Sequence, residues 1–294
     1  MTSYAAPTPI VRPVFSFPKR ELHKGDRGRL LILAGARGYV GAAQMAASGA
    51  LAAGIGLVTL AVPEPIRPEA AAGDASVMTR GLRATHDGAF AFPAAREAIA
   101  VAGEVAAEAC ALGPGLTKNT ESVAFARRII ALMPVPCVVD ADALNALALN
   151  VAGVPRIDPR QAAAVRVYTP HPGEAGRILG RPAPVVQRDR VGSVRALQAL
   201  IGGVVLLKGR ETLVCDGERL AVNPTGNDGL AVGGSGDVLT GVIGAFLARG
   251  IPAFEAACAG AYLHGLAADR IVEDRGQGPV RHKDLCLEIE TLIG

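Results

Sequence analysis

Five residues, Gly233-Gly234-Ser235-Gly236-Asp237, stand directly before the apolar run VLTGVIGAFLAR. Small residues at the start of an apolar helix leave its first backbone N–H groups free. With the positive end of the helix dipole, these groups can hold a phosphate or a developing anion. Asp237 falls in the first turn, where a carboxylate suits a general base that takes a proton from a hydroxyl. It could equally do no more than cap the helix. Alone, the motif leaves both roles open, because glycine-rich helix starts recur in unrelated proteins.

Other polar clusters could line the same site. Asn223-Pro224-Thr225-Gly226-Asn227 joins a strand to the glycine-rich turn, and its bland reading is a surface turn. Lys208-Gly209-Arg210-Glu211-Thr212 leaves one strand and enters the next. A lysine at a strand end can reach phosphate, although a hairpin of solvated charges explains this segment as well. In Thr169-Pro170-His171-Pro172-Gly173-Glu174 two prolines stiffen the backbone around His171. That suits either a fixed ligand contact or a stiff turn in which Glu174 complements a helix dipole. Asp140 and Asp142 in DADALN are spaced to hold Mg²⁺ through water or to position phosphates; Asp142 as a helix N-cap is the alternative. Gly113-Pro114-Gly115 is a tight turn.

Positioning these groups requires a scaffold. Short apolar runs read as strands: Arg29 to Ala34, Leu57 to Val62, Cys137 to Asp140, Val165 to Thr169, Val204 to Lys208, Thr212 to Cys215 and Arg219 to Val222. Helical stretches fall at Gly41 to Ala53, Pro93 to Ala109, Glu121 to Met133, Arg188 to Ile201, Asp237 to Arg249 and Phe254 to Asp269. Strands alternating with helices predict a mainly parallel sheet covered on both faces. Ligands of such sheets bind beyond the carboxyl ends of the strands. GARG at 35–38, DADALN, TPHPGE and KGRET all follow strands there. No internal repeat or long linker divides the chain, so we read an arm over 1–20, punctuated by Pro7, Pro9, Pro13 and Pro18, and one domain over 21–294.

Composition narrows the classes. Half of the 294 residues are hydrophobic, enough for a large core. The net charge of +3 is scattered without a Lys/Arg block, which disfavours nucleic acid as a partner. The five cysteines show no C-x-x-C spacing, and a reduced, cytoplasmic protein without zinc or disulfides fits them best. No secretory h-region is visible near the start. Gly38 to Pro63 carries no charge, yet it is mostly Ala and Gly and breaks at Gly54 and Gly56. It therefore reads as a buried helix and strand rather than a membrane span. Neither a Walker P-loop nor a dinucleotide G-x-G-x-x-G turn is present.

Taken together, the segments resemble the ADP/ATP-dependent NAD(P)H-hydrate dehydratase family. The matching pieces are HKGDRGRLLILAG at 23–35, GAAQMAA at 41–47, GPGL at 113–116, VVDADALN at 138–145 and TPHPGE at 169–174. LLKGRET at 206–212, NPTGNDGLAVGGSGDVLTG at 223–241 and YLHGLAAD at 262–269 complete them. GGSGD is shared with other ribokinase-like kinases; TPHPGE with NPTGN and YLHGLA is more specific. The resemblance implies a ribokinase-like three-layer α/β/α sandwich without a lid domain. It implies phosphorylation of the 6-hydroxyl of hydrated NADH or NADPH by ADP or ATP, then loss of phosphate to restore the ring. Asp237 would be the base. Lys208, Gly209, Arg210, Glu211, Thr212, Asn223, Gly234 and Gly236 would bind the nucleotide. Ala42, Gly113, Gly115, His171 and Asp237 would contact the hydrated dinucleotide, and Mg²⁺ would bridge phosphates. A homotetramer is implied, with a separate epimerase acting in the same pathway, since the short arm leaves no room for the epimerase domain of many relatives. ARGYV before GAA and Arg210-Glu211 depart from the family pattern. A ribokinase-like kinase of a vitamin-precursor alcohol is the competing reading, and a non-catalytic nucleotide-binding module is another.

Overall fold

In the computed structural model, residues 27–293 are described; the arm expected over 1–20 lies outside them. The described residues form one nine-stranded sheet in the order β3-β2-β1-β4-β5-β6-β7-β8-β9. The strands are β1 (Arg29–Leu33), β2 (Leu57–Pro63), β3 (Val77–Leu82), β4 (Ala109–Leu112), β5 (Cys137–Val139), β6 (Arg166–Tyr168), β7 (Val204–Leu207), β8 (Leu213–Cys215) and β9 (Leu220–Val222). β1 to β7 pair in parallel, and β8 and β9 add an antiparallel edge. The expected mainly parallel sheet is therefore present, and all seven parallel strands end on one rim.

Alternation within the strands divides the core in two. Leu30 and Ile32 point to one face, where α1 (Val40–Ala52), α9 (Ser235–Ala248), α10 (Ala253–Arg275) and α11 (His282–Ile293) pack. Leu31 and Leu33 point to the other, under α3 (Ala94–Glu104), α4 (Thr120–Leu132), α5 (Ala141–Ala148), α6 (Pro172–Leu179), α7 (Ala183–Arg188) and α8 (Arg190–Ile201). Short α2 (Arg67–Ala71) precedes the edge strand β3. This is the three-layer sandwich, and the described residues hold no second sheet that would form a lid.

The charge-free stretch from Gly38 to Pro63 becomes α1 and β2. Among the described residues no helix is long and apolar enough to cross a membrane. Small side chains let α1 and α9 touch through their backbones. A Cβ at Gly49 would meet the Val238 carbonyl oxygen at 2.2 Å, and one at Gly241 would meet that of Ala46 at 1.9 Å. Only glycine permits either approach.

Two expected elements differ. The helix expected over Pro93 to Ala109 stops at Glu104, and Ala109 instead begins β4. The chain turns through Ala106 at φ 49, a left-handed conformation adopted here by alanine. The helix expected from Arg188 is broken at Asp189, whose side chain accepts from Gly192 N–H to start α8 anew.

Candidate active site

The site lies on the rim where the parallel strands end, and α9 dominates it. Gly234, the N-cap, sits at φ 94, and a Cβ there would strike Met45 Sδ of α1 at 2.2 Å. Beyond it, the first-turn N–H groups of α9 are free to receive an anion. Lys208 arrives from the end of β7. Its Nζ would be 3.3 Å from a Cβ on Gly236, so the ammonium stands against the opening of the helix.

Lys208 is held by Asp140, at the end of β5. The Nζ–Oδ1 distance is 2.8 Å, and Asp140 is 1% exposed. Thr240 of α9 donates to the other oxygen at 2.7 Å. Burial alone would raise the Asp140 carboxyl, but the charge and hydrogen bond of Lys208, with Thr240, hold it below the usual carboxylate range. Burial likewise opposes the Lys208 charge, and Asp140 with Glu174 more than restores it. The pair is therefore ionised and fixed.

Asp237, half-buried in the first turn of α9, behaves differently. Burial and the neighbouring Asp140 charge push its carboxyl up to about 7, against the pull of Lys208. A base with that value is matched to neutral pH. Glu174 is also pushed up to about 7, chiefly by burial.

His171 and Glu174 form a reciprocal cap at the start of α6. His171 Nδ1 accepts from the N–H of Gly173 at 2.9 Å and of Glu174 at 3.4 Å, while Glu174 Oε2 accepts from His171 N–H at 2.9 Å. Because Nδ1 is an acceptor, the ring proton resides on Nε2. Burial and nearby Lys208 lower the His171 pKa, which keeps the ring neutral.

A cavity of about 720 Å³ opens beside Lys208. Lys208, Gly209, Arg210, Thr212, Asn223 and Gly236 border it, as does His171. Glu211 and Gly234 do not: Glu211 turns at φ 53, and Gly234 packs on Met45. Neither do Ala42, Gly113, Gly115 and Asp237. Gly115 adjoins Ala42 and Tyr39, and Gly113 packs on the Asp140 carbonyl. Of the residues expected at the dinucleotide, His171 is the one that borders this cavity. The i, i+2 acids do not make a metal cage. Asp140 is engaged by Lys208 and Thr240, and Asp142 accepts from Thr117 N–H and Asn145. Asp142 is not the N-cap either, since that position is Asp140.

Several contributors escaped the sequence reading. Arg190 of α8 donates to the carbonyls of Leu207 and Lys208 and so holds the KGRET loop. Asp269 receives Gly226 N–H and the Asn227 side chain, pinning the NPTGN loop to α10. His264, driven to about 4 chiefly by burial, pairs its Nε2 with the Ser235 carbonyl at 2.9 Å. Thr240 lay in view, three residues after Asp237 on one helix face. Arg190 gave no such signal.

An open, mainly parallel sheet whose rim carries a helix-start anion hole, a lysine and a tuned carboxylate defines a ribokinase-like protein. A family model described as NAD(P)H-hydrate dehydratase matches residues 30–290. The chain belongs to that family. It is 40% identical over 272 residues to the bifunctional NAD(P)H-hydrate repair enzyme Nnr of Moorella thermoacetica, covering 91% of this chain and 50% of that protein. It is 38% identical over 276 residues to the ADP-dependent (S)-NAD(P)H-hydrate dehydratase of Neisseria meningitidis, covering 90% and 83%. This chain therefore spans about half the length of the bifunctional relative and most of the other. The solved ADP/ATP-dependent NAD(P)H-hydrate dehydratase from Bacillus subtilis, co-crystallized with ATP/Mg²⁺, superposes with a TM-score of 0.80 at 26% identity, over 99% of this chain and 97% of that one.

Proposed function

We propose that this protein dehydrates (6S)-NADHX and NADPHX to NADH and NADPH, with ADP or ATP as phosphoryl donor. The observation that carries the reading is Asp237, a carboxyl near 7 in the first turn of the helix whose N–H groups and neighbouring Lys208 can hold the transferred phosphate. The nucleotide occupies the cavity bordered by Lys208 to Arg210, Thr212 and Asn223, which His171 also borders, and the dinucleotide lies towards Ala42 and Gly115 and reaches His171.

Asp237 takes the proton of the 6-hydroxyl as the oxygen attacks the terminal phosphorus, and the bond from that phosphorus to the bridging oxygen breaks, releasing AMP from ADP or ADP from ATP. The α9 N–H groups and Lys208 stabilise charge on the phosphoryl oxygens. Departure of phosphate from C6, with loss of a proton from C5, restores the ring double bond. Among the described residues no three acidic, His or Cys side chains cluster to hold a metal. A magnesium ion fits as companion of the nucleotide phosphates. Glu174 would hold it through water: its Oε2 accepts from His171 N–H, and its Oε1 lies 3.5 Å from His171 Nε2. When bound, the ion neutralises phosphate charge.

In this reading residues 21–294 act as one catalytic domain, in a cytoplasmic homotetramer, and a separate epimerase supplies the S form. The test is to incubate the protein with hydrated NADH, Mg²⁺ and either ADP or ATP, and to follow the reduced-nicotinamide absorbance. Recovery with one donor supports the proposal. No recovery with either overturns it, and a stable phosphorylated product points to a plain kinase of the same fold.

A further inference from the structure

Three segments that lie far apart in sequence are joined by a chain of hydrogen bonds outside the lining of the nucleotide cavity. Thr117 N–H donates to Asp142 Oδ2 at 3.0 Å, and Asn145 Nδ2 donates to Asp142 Oδ1 at 3.1 Å. Asn145, itself buried, accepts from Arg177 Nε at 2.9 Å. The chain thus runs from the loop holding Gly115, through α5, to α6. None of its four residues borders the 720 Å³ cavity.

At its end stands an exposed guanidinium. Among the described residues no carboxylate forms an ion pair with Arg177, and Nε carries its hydrogen bond to Asn145. Its two terminal nitrogens keep four N–H groups for a ligand. A Cβ at Gly173 would lie 2.7 Å from the His171 ring and 3.8 Å from Arg177 Nη1, so His171 and the guanidinium flank Gly173 side by side. A planar fork, oriented from behind and left unpaired, matches the geometry of a phosphate.

We infer that Arg177 binds a phosphate group of the hydrated dinucleotide, with Asn145 as the residue that aims it. The inference rests on the substrate reading above and adds the anion contact that orients the reacting ring. Two phosphates could serve: the pyrophosphate present in both dinucleotides, or the 2′-phosphate of the NADP form alone.

Calorimetry on the full chain tests it with NADH, NADPH and ADP as probes, on the wild type, Arg177→Ala and Arg177→Lys. Arg177→Ala should weaken NADPH binding about 10- to 100-fold and leave ADP within about twofold. Arg177→Lys should recover part of the loss, since charge remains but the fork does not. A parallel fall for NADH assigns the pyrophosphate, and a fall for NADPH alone assigns the 2′-phosphate; either supports the inference. In turnover, KM for the hydrated dinucleotide should rise while kcat changes little. Unchanged NADPH and NADH affinity, or an equal fall for ADP, overturns it and leaves Arg177 a structural brace. Failure of the function itself would appear separately, as wild-type protein that binds dinucleotide without turnover.

Discussion

Replacing Lys208 with Met removes the ammonium and keeps most of the side chain's bulk. Asp140, 1% exposed, then loses its 2.8 Å partner and retains the Thr240 hydrogen bond. Breaking a buried pair from one side leaves an uncompensated charge and costs about 3–5 kcal/mol. Denaturant unfolding at pH 7 should show a loss of that order. In the wild type Asp140 titrates below the usual range, so its contribution is present above an unfolded value of about 4 and fades only as the pH falls through the lower folded value. Without Lys208, burial raises the Asp140 carboxyl, so the variant's deficit should narrow towards acid pH. Adding Asp140→Asn removes the stranded charge and should return about 1–3 kcal/mol of stability. Turnover should not return with it, because Lys208 also stands at the opening of α9, where the proposed function puts the transferred phosphate. A Lys208→Met protein within about 1 kcal/mol of wild type, the worth of an exposed pair, and with no narrowing at low pH, would refute the reasoning.

Asp237→Asn should lower kcat about 10²- to 10⁴-fold while leaving nucleotide affinity intact; wild-type turnover would remove Asp237 from the mechanism. Wild-type kcat/KM should rise with pH through about 7, where Asp237 ionises. Folding favours the protonated form, so Asp237 costs stability above an unfolded value of about 4. Unfolding curves should show Asp237→Asn more stable than wild type at alkaline pH and level with it in acid. His171→Ala should weaken hydrated-dinucleotide binding more than ADP binding and lose a helix cap worth about 1 kcal/mol. His171→Asn should keep the cap but not the ligand contact, so equal losses for both ligands in calorimetry would indicate folding alone. At Gly265 a Cβ would come within 2.4 Å of Thr225 Oγ1. Gly265→Ala should therefore displace the NPTGN loop and raise KM for the nucleotide, and an unaltered KM would separate that loop from nucleotide binding.

Legibility followed periodicity and punctuation. Strands such as RLLIL and VVLL are continuous apolar runs bounded by charge or glycine, and the structure places them within a residue of expectation. Edge strand β3, VMTRGL, alternates half-exposed and exposed positions around Arg80, so no apolar run announces it. β4 was hidden because Ala106 makes the turn that glycine would have advertised. Within the site, GGSGD and KGRET stood out because each combines chemistry-bearing side chains with an unusual backbone. The partnership of Lys208 with Asp140 did not, because it joins residues far apart in sequence through strand order alone. The same holds for Arg177 and Asn145, whose contact depends on how α5 and α6 lie together.

The backbone seam between α1 and α9 bears on the order of events during synthesis. Gly49 and its contact at Val238 are separated by roughly two hundred residues of chain, a non-local closure that folds slowly. α1 leaves the ribosome as a charge-free helix after β1, against which one of its sides packs, but long before α9. Its remaining apolar surface stays open until α9 has been translated and docked, which is the interval in which aggregation competes with folding. The seam beside the start of α9 therefore sets a long exposure to chaperones, and substitutions at Gly49 or Gly241 should lower soluble yield before they alter catalysis.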